Sequence, residues 1–351
     1  MTMTSNLPDF LSSNMNFLKI QKNLYEYDDV FLCPRSGCVF NKDLEPIRET
    51  LHDYLYWNPS TLKMVGVNEE ELNKEIMRRE NDFLIPLQKK VELDKQIDNI
   101  LNLGDKITGI HFLSGFGFYP YGHFFDYLQK LFVIEQRKYS GKLILHSRSY
   151  STNNFYDHFN ACGISNDMLF ECRHDFPTLF VKKLVYIPPF CYPTTLTNET
   201  SEWIVEKYIN YFSTSGYAKF IKSKEKDQKF LIFLDRHKVR PGSRSIINYN
   251  EILNWAKSKE FVILDGSETI AEVVLYFSQA KFIFGAHGGL FANTIFAPKD
   301  SVILEFCSSK RITKCFLYIQ KRCLNYHHFI SEADDNNNVF IDIKLLESYL
   351  H

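Results

Sequence analysis

Two arginines are the first residues in this sequence whose type and spacing suit chemistry on a charged ligand. Arg236 and Arg244 flank a loop that directly follows the apolar run at 230–234. Arginines at the carboxyl end of a parallel strand stand where open α/β sheets bind ligands, and their forked guanidinium groups suit phosphate oxygens. The alternative role for both residues is a surface ion pair.

A second stretch surrounds His287, within the segment GAHGGLFAN that runs from Gly285 to Asn293. Gly288 and Gly289 allow a ligand to approach the backbone closely. A helix that begins in this turn would point its unpaired N–H groups and the positive end of its dipole at an anion. The segment therefore predicts phosphate binding, and the alternative is an ordinary strand–helix turn of another nucleotide-binding fold.

A third stretch contains a histidine and a carboxylate at helical spacing. His123 and Asp126 lie three residues apart in YGHFFD, so they share one face of a helix predicted over 121–137. The small and aromatic residues before them, SGFGFYPY, suggest a loop that admits a flat polar group such as a sugar ring. The alternative is a helix-capping histidine beside a solvated aspartate.

The elements that must position these residues alternate between strand and helix, which predicts α/β architecture. In the second half, apolar patterns predict strands at 230–234, 261–264, 281–284, 301–306 and 326–330, with helices near 251 and at 269–278, 290–296, 308–322 and 342–350. In the first half, the patterns predict a hairpin over 30–41, strands at 107–113, 142–146, 168–172 and 179–187, and helices at 44–57, 69–79, 83–103, 121–137, 154–162 and 199–212. The polar run 221–228 is the predicted domain boundary.

Composition limits the classes of protein to which the chain can belong. Its 351 residues allow two domains, and a net charge of −1 with interspersed signs argues against a nucleic-acid partner. The eight cysteines form no Cys-x-x-Cys pair. Cys323, His327 and His328 resemble half of a zinc site, but without a second pair they predict packing.

The compartment expected from the sequence is the cytoplasm. Cysteine usage fits reduced thiols, the first twenty residues lack the basic start and apolar run of a signal peptide, and no apolar run reaches transmembrane length. Peripheral association with the inner face of a membrane stays open.

The glycine-rich stretch resembles the hallmark of the family 61 glycosyltransferases, Gly-x-His-Gly-Ala-Gly-Leu-Thr-Asn, followed by a Phe-x-Pro turn and a strand that ends in Glu. Leu290 departs from the usual second glycine. The residues that match this hallmark are His287, Gly288, Asn293, Phe296, Pro298 and Glu305. The resemblance also covers Arg236, Arg244, Asn248 and Glu251, together with the segment from Tyr121 to Asp126.

This resemblance implies a GT-B-like fold, in which two Rossmann-like α/β domains face each other across a cleft. Residues 1–220 would form the acceptor-side domain, with an α-rich N-terminal part. Residues 221–351 would bind the nucleotide-sugar, and the last helix would either stay on this domain or cross back to the first.

The implied reaction is transfer of a hexosyl or pentosyl group, with inversion, from a nucleotide-sugar donor to a hydroxyl of a glycan acceptor, in surface polysaccharide or glycan synthesis. Asp126 and His123 are the expected catalytic base or base pair. The expected donor-binding residues are Arg236, Arg244, Asn248, His287, Gly288, Gly289, Asn293 and Glu305, with Glu305 directed at the ribose hydroxyls.

We expect neither a metal nor a cofactor, because no Asp-x-Asp lies at a predicted strand end where it could hold a cation against the diphosphate. Two other classes of protein remain as alternatives. One is a non-catalytic nucleotide-sugar-binding module, and the other is a nucleotide-dependent oxidoreductase. The oxidoreductase is disfavoured because no predicted strand is followed by Gly-x-Gly-x-x-Gly.

Overall fold

The fold comes from a computed structural model, which describes residues 24–34, 36–51, 68–113, 124–146, 155–173, 175–188, 198–214, 230–237, 244–310, 316, 323 and 325–350. These residues fall into two compact units. One runs from Leu196 towards the C-terminus, and the other holds the described residues between 24 and 188. Both units combine helices with largely parallel sheets, which confirms the α/β class.

The N-terminal unit is built on a seven-stranded mixed sheet with the strand order β2-β1-β7-β4-β5-β6, in which β3 also pairs with β7. The hairpin strands β1 and β2 are antiparallel, β1 is antiparallel to β7, and the remaining pairs are parallel. The strands are β1 (Tyr25–Leu32), β2 (Val39–Phe40), β3 (Ile100–Asn102), β4 (Thr108–His111), β5 (Lys142–His146), β6 (Leu169–Cys172) and β7 (Thr178–Tyr186).

Helices connect these strands. The first, α1 (Glu69–Arg79), continues through a π-helical stretch, Glu80–Leu84, into α2 (Ile85–Gln96). Two more are α3 (Phe124–Arg137) and α4 (Phe155–Ala161). Of the helix predicted over 44–57, the described residues contain only a 3₁₀ turn at Arg48–Leu51, and the rest lies outside them.

The prediction of one helix over 83–103 was wrong at its C-terminal end. Helix α2 ends at Gln96, Asp98 adopts a left-handed φ of 52°, and Ile100–Asn102 form a strand. The carboxylate of Asp94, in the last turn, accepts hydrogen bonds from the backbone N–H and the hydroxyl of Thr178, at 3.1 and 2.6 Å. These bonds fix the helix end beside β7, so the following residues pair with that strand.

The C-terminal unit is a five-stranded sheet with the order β12-β11-β10-β8-β9, and all four pairings are parallel. In the sheet, β9 lies on one side of β8, and β10, the next strand along the chain, lies on the other side. The strand order of a doubly wound fold therefore reverses between β8 and β10, as the predicted Rossmann-like domain requires. The strands are β8 (Phe230–Leu234), β9 (Val262–Leu264), β10 (Ala280–Ala286), β11 (Val302–Ser308) and β12 (Tyr326–Ser331).

Among the described residues of this unit, the helices are α5 (Asn198–Thr214), α6 (Tyr249–Ser258), α7 (Ile270–Ser278) and α8 (Ile343–Ser348), with a 3₁₀ helix at Gly289–Phe296 after β10. Helix α7 begins at a capping box in which Thr269 and Glu272 satisfy each other's backbone N–H groups. Helix α5, which the sequence assigned to the first domain, groups with this unit.

One sheet face of the C-terminal unit carries an apolar cluster in which Phe233, Phe284 and Phe306 pack against α6 and α8. Leu346 of α8 is fully buried there, and the Trp255 indole donates to the Glu347 carboxylate at 3.2 Å. The last helix therefore packs on its own unit. Most of the predicted helix 308–322 and the boundary at 221–228 lie outside the described residues. Among the described helices, none has the length and apolarity needed to span a membrane.

Candidate functional site

The carboxyl ends of β8 and β10 meet at the point where the strand order reverses. Arg236 follows β8 by two residues, and its Nη1 donates a 3.0 Å hydrogen bond to the carbonyl oxygen of His287, which follows β10 directly. A Cβ at Gly288 would lie 2.4 Å from that Nη1. The backbone of Gly288 is extended, with φ of −177°, so glycine is needed there for the space that the guanidinium occupies.

His287 is held by a buried carboxylate on the neighbouring strand. Its Nδ1 lies 2.5 Å from Oε1 of Glu305, and the Tyr326 hydroxyl donates to Oε2 of the same carboxylate. The Glu305 side chain is 1% exposed and the His287 side chain 12%. Burial alone would raise the pKa of Glu305, but the charge and hydrogen bond of His287, with help from His328 and Tyr326, hold it below its ordinary value.

This geometry fixes the tautomer of His287. An ionised carboxylate only accepts hydrogen bonds, so Nδ1 of His287 carries the proton and Nε2 is the ring nitrogen that can face a ligand. Because both oxygens of Glu305 are engaged inside the protein, the arrangement favours a role for Glu305 in orienting His287 over direct contact with a ribose.

Two further side chains extend this polar group along the same sheet face. Nε2 of His328 lies 3.0 Å from Sγ of Cys307 and 3.9 Å from Oε2 of Glu305. Burial would lower the pKa of His328, but its hydrogen bond with Cys307 and the charge of Glu305 raise it above its ordinary value. Side chains two apart on a strand share a face, which brings Glu305 and Cys307 of β11 together with Tyr326 and His328 of β12.

Cys323, His327 and His328 do not come together as half of a zinc site. The Cys323 thiol donates to the carbonyl of Ser301 at 2.8 Å, and the His327 ring packs against Tyr349 with centroids 4.7 Å apart. His327 and His328 are consecutive on β12, so they point to opposite faces of the sheet.

Arg244 lies close to His287, at the same edge of the C-terminal sheet. Its backbone takes a left-handed φ of 55°, and its N–H donates to the carbonyl of Asn336 at 3.1 Å. With His287 and Ser308, it lines a small recess that is open to solvent. The structure thus brings Arg236, Arg244 and His287 to one edge of the C-terminal sheet.

The loop between the two arginines is anchored at its described ends. The carboxylate of Asp235 accepts from the backbone N–H of His237 at 2.8 Å and from the Tyr249 hydroxyl at 2.7 Å. The His237 ring stacks on Tyr249 with centroids 4.1 Å apart, and its Nδ1 lies 3.1 Å from the hydroxyl of Ser245. This network fixes the chain directly after Arg236 and directly after Arg244.

Comparison with known proteins decides the family. The family model for Glycosyltransferase 61 matches residues 121–304, more than half of the chain. This chain belongs to glycosyltransferase family 61. No curated protein matches the sequence.

The span that matches family 61 begins at the YGHFFD segment and includes both arginines and the glycine-rich turn. Membership supports a glycosyltransferase with a donor and an acceptor substrate. The match ends one residue before Glu305, so Cys307, Tyr326 and His328 lie beyond it. Sequence reasoning assigned none of those three to the donor site, although the alternation of Glu305 and Cys307 with apolar residues in β11 was a usable signal.

The structure also describes three other predicted donor-binding residues, Asn248, Gly289 and Asn293. The Asn248 side-chain amide donates to the carbonyl of Ile341 at 2.9 Å and accepts from the N–H of Ile341 at 3.2 Å, which ties the C-terminal segment to the start of α6. Asn293 is fully buried in the 3₁₀ helix, and Gly289 begins that helix. Donor contact by these residues stays a prediction.

The predicted base residues fall at the edge of what the structure describes. His123 lies outside the described residues, and Asp126 is described only through its backbone, in the first turn of α3. The pairing of His123 with Asp126 therefore stays a prediction.

Proposed function

We propose that this protein is an inverting, metal-independent glycosyltransferase that moves a hexosyl or pentosyl group from a nucleotide-sugar to a hydroxyl of a glycan acceptor. Family membership supports the class of reaction. The observation that carries the donor site is the convergence of Arg236, Arg244 and His287 at the reversal of strand order between β8 and β10, because open α/β sheets bind ligands there.

The donor diphosphate would bind against the two arginines and the glycine-rich turn. Arg236 lies over Gly288, held by the carbonyl of His287, and Arg244 lines the adjoining recess. Guanidinium groups form short charge-assisted hydrogen bonds with phosphate oxygens, and they would stabilise the negative charge that develops on the leaving nucleoside diphosphate. This arrangement supplies positive charge without a metal ion.

His287 would contact the donor through Nε2. With its proton on Nδ1 towards Glu305, the neutral ring offers Nε2 as an acceptor for a sugar hydroxyl, whereas a protonated ring would donate to a phosphate oxygen. Glu305, itself held by Tyr326, fixes the ring orientation in both cases.

Transfer with inversion also requires a base that takes the proton of the attacking acceptor hydroxyl as the new glycosidic bond forms and the bond to the diphosphate breaks. Asp126, alone or with His123, is our candidate. We place these residues on the acceptor side of a GT-B-like cleft, and we expect a cytoplasmic protein, with peripheral association at the inner face of a membrane, that acts in surface polysaccharide or glycan synthesis.

A donor screen tests the proposal. Thermal unfolding is measured with a panel of nucleotide-sugars, because a ligand that binds the folded state raises the melting temperature by mass action. Release of nucleoside diphosphate is then followed for each donor that binds. An enzyme hydrolyses its donor slowly even without an acceptor, whereas binding with no release would indicate a non-catalytic nucleotide-sugar-binding module.

The arginine assignment has a matched control. Arg236→Ala or Arg244→Ala should weaken nucleoside diphosphate binding in a calorimetric titration by about 1.5–3 kcal/mol, the range for hydrogen bonds to charged groups. Arg173→Ala removes an arginine of the N-terminal unit whose exposed side chain pairs with Asp175, and it should leave binding unchanged. Wild-type affinity in both test variants would remove the arginines from the donor site.

A further inference from the structure

A mixed group of metal-ligating atoms lies on one face of the C-terminal sheet. Nδ1 of His287, a carboxylate oxygen of Glu305 and Sγ of Cys307 all lie within 4.8 Å of one another. Nε2 of His328 is 3.0 Å from the same Sγ. These four side chains come from the end of β10 and from β11 and β12, so three adjacent strands fix their spacing.

We propose that His287, Glu305, Cys307 and His328 form a binding site for one divalent cation of the borderline-soft class, with zinc as the best fit. Two imidazole nitrogens, a thiolate and a carboxylate form a ligand set that zinc accepts, whereas magnesium, calcium and manganese prefer oxygen ligands alone. The site differs from the Cys323, His327 and His328 half-site, which the structure does not form.

The spacing of the ligand atoms is close to that of a tetrahedral site. Zinc bonds of about 2.0–2.3 Å place the ligand atoms about 3.3–3.7 Å apart in a tetrahedron. Two separations are shorter than this: Nδ1 of His287 is 2.5 Å from Oε1 of Glu305, and Nε2 of His328 is 3.0 Å from Sγ of Cys307. Nε2 of His328 is 3.9 Å from the other carboxylate oxygen, Oε2, to which Tyr326 donates. His287, Glu305 and Cys307 are therefore near enough to share one ion, and His328, which already contacts the Cys307 sulfur, would turn towards that ion as the fourth ligand.

The charges of the ligands and the hydrogen bond that Tyr326 donates to Glu305 favour the same ion. A carboxylate and a thiolate balance the two positive charges, so the bound site is neutral, as burial requires. When zinc binds, the thiol proton of Cys307 is released to solvent, and the Nδ1 proton of His287 is lost while Nε2 takes up a proton, so the ring stays neutral. The Tyr326 hydroxyl already donates to the second oxygen of Glu305, which is the kind of outer contact that orients a metal ligand.

Zinc bound at this site would regulate donor binding, an inference that rests on the proposed function. Zinc would take Nδ1 of His287 away from Glu305, so the ring would turn and Nε2 would leave the position in which we expect it to face the donor. Zinc would therefore compete with the donor and act as an inhibitor.

The test uses the purified full chain after removal of metal with a chelator. Zinc is titrated against a chromophoric zinc indicator, and cobalt replaces zinc as a spectroscopic probe. We expect one zinc per chain, and cobalt should give a thiolate-to-metal charge-transfer band. Cys307→Ser should abolish that band and weaken zinc binding by at least about tenfold. Cys323→Ser removes an equally buried thiol outside the group and should leave both readouts unchanged.

A second pair of variants keeps the test decisive if Cys307→Ser does not fold. His328→Gln should weaken zinc binding, whereas His327→Gln, its neighbour on the opposite face of β12, should not. Circular dichroism and the melting temperature report folding for every variant. The proposal is overturned if the wild type binds no zinc, or if each control variant weakens binding as much as its partner.

Competition with nucleotide separates this inference from the proposed function. UDP and GDP are titrated with and without zinc, in the wild type and in Cys307→Ser to account for zinc bound by the nucleotides themselves. Loss of nucleotide affinity with zinc in the wild type alone supports inhibition. Zinc binding of the expected kind without that loss overturns the inhibitory step, although the metal site stands. Nucleotide binding that depends on Arg236 in a chain that binds no zinc overturns the metal site and leaves the proposed function intact.

Discussion

At the scale of single residues, the two glycines at the end of β10 are needed for different reasons. A Cβ at Gly288 would lie 2.4 Å from the end of the flexible Arg236 side chain. A Cβ at Gly285 would lie 2.7 Å from the backbone oxygen of Leu234, on β8. A side chain can move aside, whereas a strand within a sheet cannot, so the same substitution should have different effects at the two positions.

We expect Gly288→Ala to displace the Arg236 guanidinium and to weaken nucleoside diphosphate binding by about 1.5–3 kcal/mol, with little loss of stability. Gly285→Ala should instead lower the free energy of unfolding by about 1–3 kcal/mol, because it overpacks the contact between β8 and β10. Calorimetric titration and urea unfolding of both variants measure the two effects. Equal losses of stability would contradict the assignment of Gly288 to the arginine.

Asp126 and His123 are tested by a pair of substitutions. Asp126→Asn keeps the shape of the side chain but removes its charge, so turnover should fall by about a hundredfold or more, with donor affinity near that of the wild type. An unperturbed aspartate is a weak base near neutral pH, whereas histidine titrates there. His123→Ala therefore decides between the two versions of the base.

Steady-state rates and donor titrations provide both readouts. Near-normal turnover of His123→Ala would leave Asp126 as the sole base. Normal turnover of Asp126→Asn would instead place the base elsewhere.

At the scale of elements, most strands could be predicted because each apolar run ends in glycine, proline or a polar cluster. The bounds of β5 and β8 agree with those predicted from the sequence, and those of the other strands in the C-terminal sheet are close. Helix α2 was predicted too long, because its end depends on the left-handed backbone of Asp98 and on the hydrogen bonds that Thr178 of β7 donates to Asp94.

The candidate site could be predicted only in part. The arginines and His287 stand out by residue type beside glycines. The roles of Tyr326, Cys307 and His328 depend on pairing, since Glu305 stands opposite His328 in the register of β11 and β12. A single sequence does not specify which strands are neighbours, so it cannot indicate that these side chains meet.

The end of β4 carries a buried histidine that should make stability depend on pH. Nε2 of His111 lies 2.7 Å from the carbonyl of Gly37. Burial, together with the charges of Lys130 and His146, lowers the pKa of His111 to about 3, although the hydrogen bond with Gly37 acts in the opposite direction. Because the folded pKa lies below the unfolded value, the unfolded chain binds the proton first. Stability is therefore complete above about pH 6.5 and falls towards pH 3, by up to about 1.4 kcal/mol per pH unit.

Urea unfolding at pH 7 and pH 5 measures this contribution. His111→Gln keeps an N–H donor for Gly37 but does not titrate in this range, so its stability should fall less between the two pH values, by up to about 2 kcal/mol. Burial also lowers the pKa of His158 to about 3, and His158→Gln provides an independent repeat. A variant whose stability changes with pH in parallel with the wild type would show that His111 is not protonated on unfolding.

At the scale of the whole molecule, the proposed chemistry divides between the two compact units. The arginines, the glycine-rich turn and the pair of His287 with Glu305 all belong to the unit that begins at Leu196. Asp126 lies in the first turn of α3, in the other unit. Substitutions in the C-terminal unit should therefore act mainly on donor affinity, and substitutions at the start of α3 mainly on turnover.

Metal independence is a property of the whole molecule. In many transferases a divalent cation neutralises the leaving diphosphate, and here we expect the arginines to do so alone. No Asp-x-Asp follows a strand of the C-terminal sheet among the described residues, whereas Arg236 and Arg244 stand at its ligand-binding edge. Turnover should therefore survive excess chelator. If zinc occupies the group around Cys307, removing it should raise turnover, and Cys307→Ser should lack that increase. Initial rates before and after chelation, with magnesium or manganese added back, decide the point. Loss of activity that either ion restores would show that a metal, and not the arginine pair, neutralises the leaving diphosphate.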